Sequence, residues 1–501
     1  MAGQVQRNIA FSYANRLTNL VGVIVLVPLY TRFLGHRLYG EWLVITSIIT
    51  YLTLTGLGID QILANRIAEL TVTGRQSESG ALISTAFFAY SVIALMLVVG
   101  FALFSGWICT LLVHDRASAL ALATVGSLCA LSVPLNANIM MLRGLGRVDR
   151  EQALGLKTNL VRTSAVVAAL LLGFKLLPLA LIQGGTAIGL GLSALVSSRR
   201  LSDGALPRLG QFSFPTLRAL LAPGLGFLVL QTAGIVGFGI DNLVIGYALG
   251  PEAVTRYAVP FSLLMAASAL VSTASVALLP TITVTYARAR NGALATGSIV
   301  AMRLALAYGG VGAIVFWIAG PWLLRFWAGA GIFPGERTFA LQLGLFLLQV
   351  LIAPPFAILV ATTHHYGTAL MHVVESALNL VLSLWWVRVF GLSGVIAGTV
   401  VARLVTTAWY IPFQALVTLD LSPGRAARAV GPCAGLVLLT FGAVVMLWPS
   451  SERVPIATAA PAAILGSLSF LLVFAWLGFN REERQSLAVR LSALCRRGQM
   501  A

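Results

Sequence analysis

Long apolar runs recur from one end of the chain to the other, and they limit what it can fold into. Examples are LVGVIVLVPLY near the start, SVIALMLVVGFALF further on and LGSLSFLLVFAWLGF near the end. Only 10% of the 501 residues are charged, whereas soluble globular proteins carry about one quarter. A helix of about 20 apolar residues can cross a bilayer with its backbone amides paired internally. The sequence therefore predicts an all-α polytopic membrane protein.

Fourteen segments are long and apolar enough to be transmembrane helices. Polar turns with glycine, proline or charged residues separate them. The predicted spans are residues 8–33, 40–67, 81–113, 117–142, 154–175, 177–198, 219–249, 254–286, 295–324, 338–363, 367–389, 392–418, 427–448 and 456–479.

The basic residues predict how these helices are oriented. The net charge of +17 could indicate nucleic acid. The basic residues, however, are scattered between apolar runs without interleaved aromatic residues, so we expect no nucleic-acid partner. With a cytoplasmic N terminus, 19 of the 33 lysines and arginines fall in inside loops and tails, and 9 fall in outside turns. This excess follows the positive-inside rule and predicts that both termini are cytoplasmic.

The two halves of the chain carry matching residues at nearly constant separation. The repeat covers six predicted helices, and because six is even, both copies enter the membrane from the same side. The sequence thus predicts two six-helix lobes, related by a parallel pseudo-repeat around a central cavity, plus two C-terminal helices. The matches are Leu34-Gly35 with Leu249-Gly250 at a shift of 215, and Pro134 with Pro354 and Asn159 with Asn379 at a shift of 220.

The predicted domains follow this repeat. They are an N-terminal lobe at 1–210, a C-terminal lobe at 211–420, two additional transmembrane helices at 421–480 and a basic cytoplasmic tail at 481–501. The tail is weakly amphipathic, which fits contact with anionic lipid or a plain solvated segment. The prolines of corresponding helices, at Pro134 and Pro354-Pro355, predict interruptions at matched positions.

Ionisable and amide side chains inside the spans are the candidate functional residues, because burying a charge in hydrocarbon costs at least ~2.5 kcal/mol. The spans contain more cations than acids, which suits an anionic phosphate-bearing substrate, since guanidinium groups bind phosphate through paired donors. Predicted substrate-cavity residues are Asn15, Arg16, Asn19, Arg162, Arg303 and Arg403. Predicted ion-coupling or gate residues are Asp60, Asp241, His372 and Glu375. No catalytic residue and no metal site is predicted.

These residues also have structural interpretations. Hydroxyl and amide side chains in membranes often bond the preceding turn or join helices. Arg16, Arg303 and Asp60 lie close enough to span ends for their charges to reach the interface. Arg403 lies eleven residues into its span and therefore needs a polar cavity or a buried partner. The acids could balance arginines or carry a coupling ion, and the sequence does not decide between these roles.

Two stretches resemble a known transporter family. The first is YANRLTNLVGVIVLVPLYTRFLGHRLYGEWLVITSIITYLTLTGLGIDQILANRIAE, with Pro28, Leu34-Gly35, Tyr39-Gly40, Trp42, Tyr51-Leu52, Leu57-Gly58 and Ala68-Glu69 as the matching elements. The second is GIDNLVIGYALGPEAVTRYAVPFSL, with Asp241, Leu249-Gly250 and Tyr257. Both resemble Wzx-type polysaccharide flippases of the multidrug/oligosaccharidyl-lipid/polysaccharide (MOP) exporter superfamily, to which MATE-like exporters also belong.

The resemblance implies a transporter rather than an enzyme. Such a flippase moves an undecaprenyl-diphosphate-linked oligosaccharide, a repeat unit of O-antigen or exopolysaccharide, across the bacterial inner membrane by alternating access. It implies an H+ or Na+ gradient as the driving force, with no cofactor. Its implied partners are membrane lipid, a polysaccharide polymerase and a chain-length regulator.

Three other functions compete with this one. A multidrug or cation antiporter of the same superfamily should have an acid-dominated cavity, which five in-span cations against three acids disfavour. A lipid II-type flippase shares the span number and the cationic cavity. A membrane glycosyltransferase or O-antigen polymerase usually needs a large external loop, and no predicted external connection exceeds about fourteen residues.

Overall fold

The structure, a computed structural model, describes residues 2–75, 78–113, 115, 118–201, 207–288, 291–363, 366–450 and 454–478. About 90% of these residues are helical, and no β-strand occurs within the ranges. The predicted all-α fold is therefore confirmed. The predicted tail at 481–501 lies outside the described residues.

The described helices follow the predicted spans closely. Twelve helical segments in the described ranges are long and apolar enough to cross a membrane. The first of these, Leu17–Gly56, runs through two predicted spans, so the count of fourteen crossings stays a prediction. The helices are α1 Ala2–Thr50, α2 Ile59–Val72, α3 Ser79–Leu112, α4 Ala119–Ser132, α5 Asn136–Gly144, α6 Val148–Leu171, α7 Leu176–Arg199, α8 Phe214–Leu249, α9 Pro251–Ala277, α10 Leu279–Ala287, α11 Asn291–Ala328, α12 Glu336–Ala361, α13 Tyr366–Phe390, α14 Leu392–Val405, α15 Thr407–Thr418, α16 Pro423–Leu447 and α17 Ile456–Gly478.

The chain forms two compact units. Unit 1 comprises Met1–Val259 and Ser376–Val395, and unit 2 comprises Pro260–Glu375 and Ile396–Ala501. The boundaries between them fall inside α9, α13 and α14. The division into two six-helix lobes and two added helices stays a prediction.

Two glycines break the helical path in the same way. Gly35 lies inside α1 with φ 74° and ψ 175°, and Gly250 separates α8 from α9 with φ 83° and ψ 171°. Glycine adopts such positive φ angles without a steric penalty. These are the glycines that the 215-residue shift pairs, so the repeat seen in the sequence extends to backbone conformation.

The two copies of this turn contact each other within unit 1. A β-carbon added at Gly40 would lie 1.8 Å from the Pro251 carbonyl oxygen. In return, the Thr255 hydroxyl donates to the His36 carbonyl at 2.6 Å. A shift of 215 relates His36 to Pro251 and Gly40 to Thr255, so each copy offers the same pair of positions to the other. A two-fold relation between the copies produces such an isologous contact.

The second predicted span is broken near its middle. Helix α1 ends at Thr50, a 3-10 turn covers Tyr51–Gly56, and α2 begins at Ile59. Between them, Leu57 and Gly58 have φ angles of 49° and 70°. The second predicted span therefore consists of two helices, and the two residues between them have left-handed backbone conformations.

Proline interrupts only one of the two predicted positions. Pro134 lies in a 3-10 turn, Val133–Leu135, between α4 and α5, as expected. Helix α12 instead runs without a break through Pro354 and Pro355, so the prediction of matched interruptions is wrong there. A membrane helix can continue through proline because neighbouring groups satisfy the freed carbonyl. In unit 2 the helical path is broken instead at Thr406, between α14 and α15.

The contact at Gly40 gives the first testable prediction. In most helices Gly→Ala is neutral or stabilising, by up to about 1 kcal/mol. Gly40→Ala should instead lower the thermal unfolding midpoint, because the new methyl group displaces the Pro251 backbone. Gly185→Ala in α7, where nothing lies within 4 Å of the added carbon, is the matched control. Equal midpoints for the two purified variants would contradict the close contact.

Candidate functional site

Asp241 anchors a buried cluster of oxygen atoms in unit 1. The residue lies in α8 and is 2% exposed. Its carboxylate accepts from the Tyr257 hydroxyl at 2.5 Å and from Asn379 Nδ2 at 3.1 Å. Asn379 Oδ1 accepts from Ser383 Oγ at 2.9 Å, and Ser383 Oγ also lies 3.2 Å from the Val395 carbonyl oxygen. Carboxylate, amide, hydroxyl and carbonyl oxygens thus converge, and such donors bind hard cations.

Helical periodicity assembles this cluster. Asn379 and Ser383 are four residues apart in α13 and therefore share a face. The Tyr51 hydroxyl approaches from the break in the second span, 2.8 Å from where a β-carbon on Gly239 would lie. That hydroxyl is buried and has no hydrogen-bond partner among the described residues. A buried polar atom left in this way commonly marks a place for a water or an ion.

The repeat-equivalent asparagine builds a different network in the first half of the chain. Asn159, in α6, donates to Asn15 Oδ1 at 2.7 Å, just as Asn379 donates to Asp241. Asn15 Nδ2 donates to Gln152 Oε1 at 3.0 Å, and Arg162 donates to Asn159 Oδ1 at 2.9 Å. The asparagines that the repeat pairs therefore join equivalent helices in the two copies. In the first copy, amide groups and a guanidinium take the place of the Asp241 carboxylate.

Arg403 has a buried partner. Its position deep in a predicted span required either such a partner or a polar cavity. In unit 2, Arg403 is 7% exposed and Glu375 is 5% exposed. The Arg403 guanidinium donates to Glu375 Oε1 from Nε at 2.9 Å, with Nη2 2.8 Å away, and donates to Gln349 Oε1 at 2.6 Å. The hydroxyls of Thr406 and Thr407 donate to the other Glu375 oxygen. The carboxylate is thus saturated with donors.

The helix break at Thr406 makes this arrangement possible. Its φ of −114° and ψ of −91° leave the α conformation, so α14 ends and α15 starts beside the carboxylate. His372, one turn before Glu375 in α13, has Nδ1 3.7 Å from Glu375 Oε2. Its ring meets Phe356 edge to face. The structure therefore brings together three of the predicted residues, Arg403, Glu375 and His372.

The other predicted residues lie in separate places. Asp60 is in the first turn of α2, where the helix dipole favours an acid, and accepts from the buried Tyr90 hydroxyl at 2.6 Å. Arg303 Nε donates to the Ala429 carbonyl at 2.9 Å and so joins α11 to α16. Asn19 is exposed, and the Arg16 side chain lies outside the described residues. The roles assigned to these residues stay predictions.

Glu41 is a buried acid that was not identified from the sequence. Glu41 is 1% exposed, accepts from the Ser118 hydroxyl, and pairs with Arg37 Nε at 3.3 Å. Arg37 also pairs with Asp115 at 3.0 Å. The i, i+4 spacing of Arg37 and Glu41 was the available indication, since such pairs share a helix face.

Comparisons with known proteins agree with this architecture. A family model described as polysaccharide biosynthesis protein matches residues 5–285. No curated protein matches the chain by sequence. The lipid II flippase MurJ, in an inward closed conformation, is similar at 13% identity and a TM-score of 0.69, covering 93% of this chain and 98% of that one.

Two further solved structures share the fold. An inward-facing multidrug resistance MATE family transporter of the MOP superfamily has 15% identity and a TM-score of 0.60, covering 81% of this chain and 94% of its own. A MOP superfamily transporter from Pyrococcus furiosus, described by the reverse polarity of its binding pocket, has 15% identity and a TM-score of 0.51, covering 83% and 94%. At these identities the likeness establishes the fold.

The Glu375–Arg403 pair gives the second prediction. Removing one partner of a buried pair leaves a charge uncompensated and costs about 3–5 kcal/mol. Arg403→Met should therefore lower the thermal midpoint and the amount of protein in the membrane. Adding Glu375→Gln should restore much of both, because the remaining groups are neutral. Arg388→Met, at the exposed end of α13, is the matched control. A single variant as stable as the wild type would contradict this pairing.

Proposed function

The chain belongs to the polysaccharide biosynthesis protein family, and from that membership we propose that it flips a lipid-linked oligosaccharide across the bacterial inner membrane. The cargo is a polyprenyl-diphosphate-linked repeat unit of O-antigen or exopolysaccharide. The protein works as a transporter, by ion-coupled alternating access with both termini in the cytoplasm. The membership and the MurJ/MATE-like fold support this proposal.

The observation that carries the proposal is the buried Asp241 cluster inside apolar helices. An ionisable group at membrane depth marks an ion or substrate path, because its burial is otherwise unfavourable. The Asp241 carboxylate bonds the Asn379 amide, which bonds a serine hydroxyl beside a backbone carbonyl, whereas the Glu375 carboxylate bonds an arginine. A carboxylate grouped with amide, hydroxyl and carbonyl oxygens is a donor set that fits a hard cation.

The proposed coupling ion is Na+, bound by oxygens of Asp241, Asn379, Ser383 and Val395. Rotation of the Asn379 amide and of the Ser383 hydroxyl turns their oxygens toward the ion. Tyr257 donates to one Asp241 oxygen at 2.5 Å, and the same rotation turns the Asn379 amide N–H away from the other. The alternative coupling ion is a proton carried by Asp241. Only a bound Na+ predicts that Na+ stabilises the folded protein.

The cargo diphosphate is assigned to the first copy of the repeat. Arg403 is already neutralised by Glu375 in this conformation. Arg162, in contrast, donates to the neutral amide of Asn159, so that bond leaves its charge uncompensated. Arg16 is the residue after Asn15, which is bonded to the same asparagine. These two arginines are the proposed diphosphate ligands.

The isologous contact at Gly40 and Pro251 is the proposed external closure. It joins the two repeat copies at turns that the charge distribution assigns to the external side. Opening toward the periplasm requires that this contact separate. The contact is small and consists of backbone atoms and one threonine hydroxyl, which suits a surface that has to form and break during each cycle.

Loss of the gene tests the cargo. Deletion should abolish one surface polysaccharide and leave its lipid-linked repeat units on the cytoplasmic face, as measured by glycan staining and by accessibility of the repeat unit to an external glycosidase. Normal delivery of every polyprenyl-linked glycan to the periplasm would contradict the proposal. A block in peptidoglycan synthesis instead would assign the protein to the lipid II-type flippases, whose fold it shares.

The proposed Na+ site gives a further prediction. NaCl should raise the thermal midpoint of the purified protein relative to choline chloride, because an ion that binds only the folded state stabilises it. Asp241→Asn should abolish that increase. Asp60→Asn removes a tyrosine-bonded carboxylate elsewhere in unit 1 and should keep it. An unchanged Na+ effect in Asp241→Asn would exclude this site, and a dependence on pH without one on Na+ would favour the proton.

A further inference from the structure

An apolar groove opens on unit 1 at the break in the second predicted span. Its volume is about 600 Å³. Leu57 at the break, Phe88 and Val92 of α3, and Leu209, Phe212 and Leu217 at the entry to α8 contribute to its walls. Val92 is 59% exposed and Leu209 is 71% exposed, so the groove faces out of the unit. Its lining is hydrocarbon apart from the Ser91 hydroxyl, which bonds its own helix.

The wall formed by the segment before α8 is fixed in place. The Ser84 hydroxyl accepts from the Arg208 backbone N–H at 3.1 Å and donates to Gln211 Oε1 at 3.2 Å. The Thr85 hydroxyl accepts from the Ser213 N–H at 3.2 Å. Ser84 and Thr85 are both fully buried in α3. The groove is therefore a built surface rather than a loose loop lying over a helix.

Two exposed arginines border the groove. Arg208 directly precedes the lining residue Leu209, and Arg218 directly follows the lining residue Leu217. Among the described residues, neither guanidinium forms an ion pair. Four other arginines on the side of unit 1 predicted to be cytoplasmic do form ion pairs. Their pairs are Arg66 with Glu69, Arg75 with Glu78, Arg143 with Glu151 and Arg147 with Asp149.

We propose that this groove binds an anionic diacyl phospholipid of the membrane. An acyl chain lies along the apolar wall, where its burial is favourable. The phosphate lies against Arg208 and Arg218, as basic residues at the membrane interface attract anionic headgroups. The two arginines at the border of the groove and the apolar side chains inside it together fit one amphipathic anion. A soluble anion would leave the apolar wall uncovered, and an uncharged lipid would leave the arginines without a counter-charge. This binding does not depend on the proposed transport activity.

Native mass spectrometry of the full-length protein tests the proposal. The detergent-purified protein is mixed with phosphatidylglycerol or phosphatidylcholine, and the lipid-bound fractions are compared. We expect one phosphatidylglycerol to be retained in preference to phosphatidylcholine. Arg208→Gln with Arg218→Gln should reduce the bound fraction about tenfold, since each basic residue contributes to headgroup attraction. Ala89→Phe, which fills the groove from α3, should reduce it as well.

The matched control uses two other exposed arginines. Arg425 and Arg428 lie in the first turns of α16, which resembles α8 in having a serine at its N-cap and a proline in its first turn. Arg428 bonds only the Gly424 carbonyl of its own helix in the described contacts. Arg425→Gln with Arg428→Gln should keep the bound phosphatidylglycerol. The thermal midpoint of each variant shows whether it is folded. The midpoint of Arg208→Gln with Arg218→Gln should equal that of the wild type, because both side chains are exposed.

Three outcomes would overturn the proposal. The first is equal retention of phosphatidylglycerol by the wild type, the double arginine variant and Ala89→Phe. The second is equal retention of phosphatidylcholine, which would make the groove an ordinary lipid-facing surface. The third is retention of undecaprenyl phosphate in place of phosphatidylglycerol, sensitive to the same substitutions, which would assign the groove to the transported lipid.

Discussion

A carboxylate inside a membrane is stable only when hydrogen-bond donors or cations occupy its oxygens. This requirement organises the polar interior of the protein. Asp241 takes its donors from Tyr257 and Asn379, and Glu375 takes its partner from Arg403. In each case the donors come from other helices than the acid. The bonds that make the acid tolerable in hydrocarbon therefore also hold neighbouring helices in register.

The two copies of the repeat share a scaffold but differ in charge. Matched asparagines, Asn159 and Asn379, bridge matched helices in both. The second copy places a carboxylate at the bridge, whereas the first places amides and Arg162 there. Both copies keep the asparagine bridge, but the charged group beside it is a cation in one and an anion in the other. This difference fits the proposed roles, in which the second copy binds the coupling cation and the first binds the anionic cargo.

The sequence predicted what depends on composition and local spacing, and much less of what depends on packing. The apolar runs located the helices, and Leu-Gly pairs located the equivalent breaks at Gly35 and Gly250. The depth of Arg403 required a cavity or a partner, but Glu375 lies 28 residues away and meets it through a break that neither glycine nor proline marks. Pro354 failed as a marker because the surrounding helix tolerates it.

Reconstituted transport tests the central claim, that a buried cation site drives movement of a lipid-linked glycan. Purified protein in proteoliposomes would receive a fluorescent undecaprenyl-diphosphate sugar in one leaflet, and its arrival in the other would be followed by quenching. The account predicts faster arrival under an imposed Na+ gradient, or a pH gradient if the ion is a proton, and loss of that acceleration in Asp241→Asn. Arrival at the protein-free rate under every gradient would contradict it.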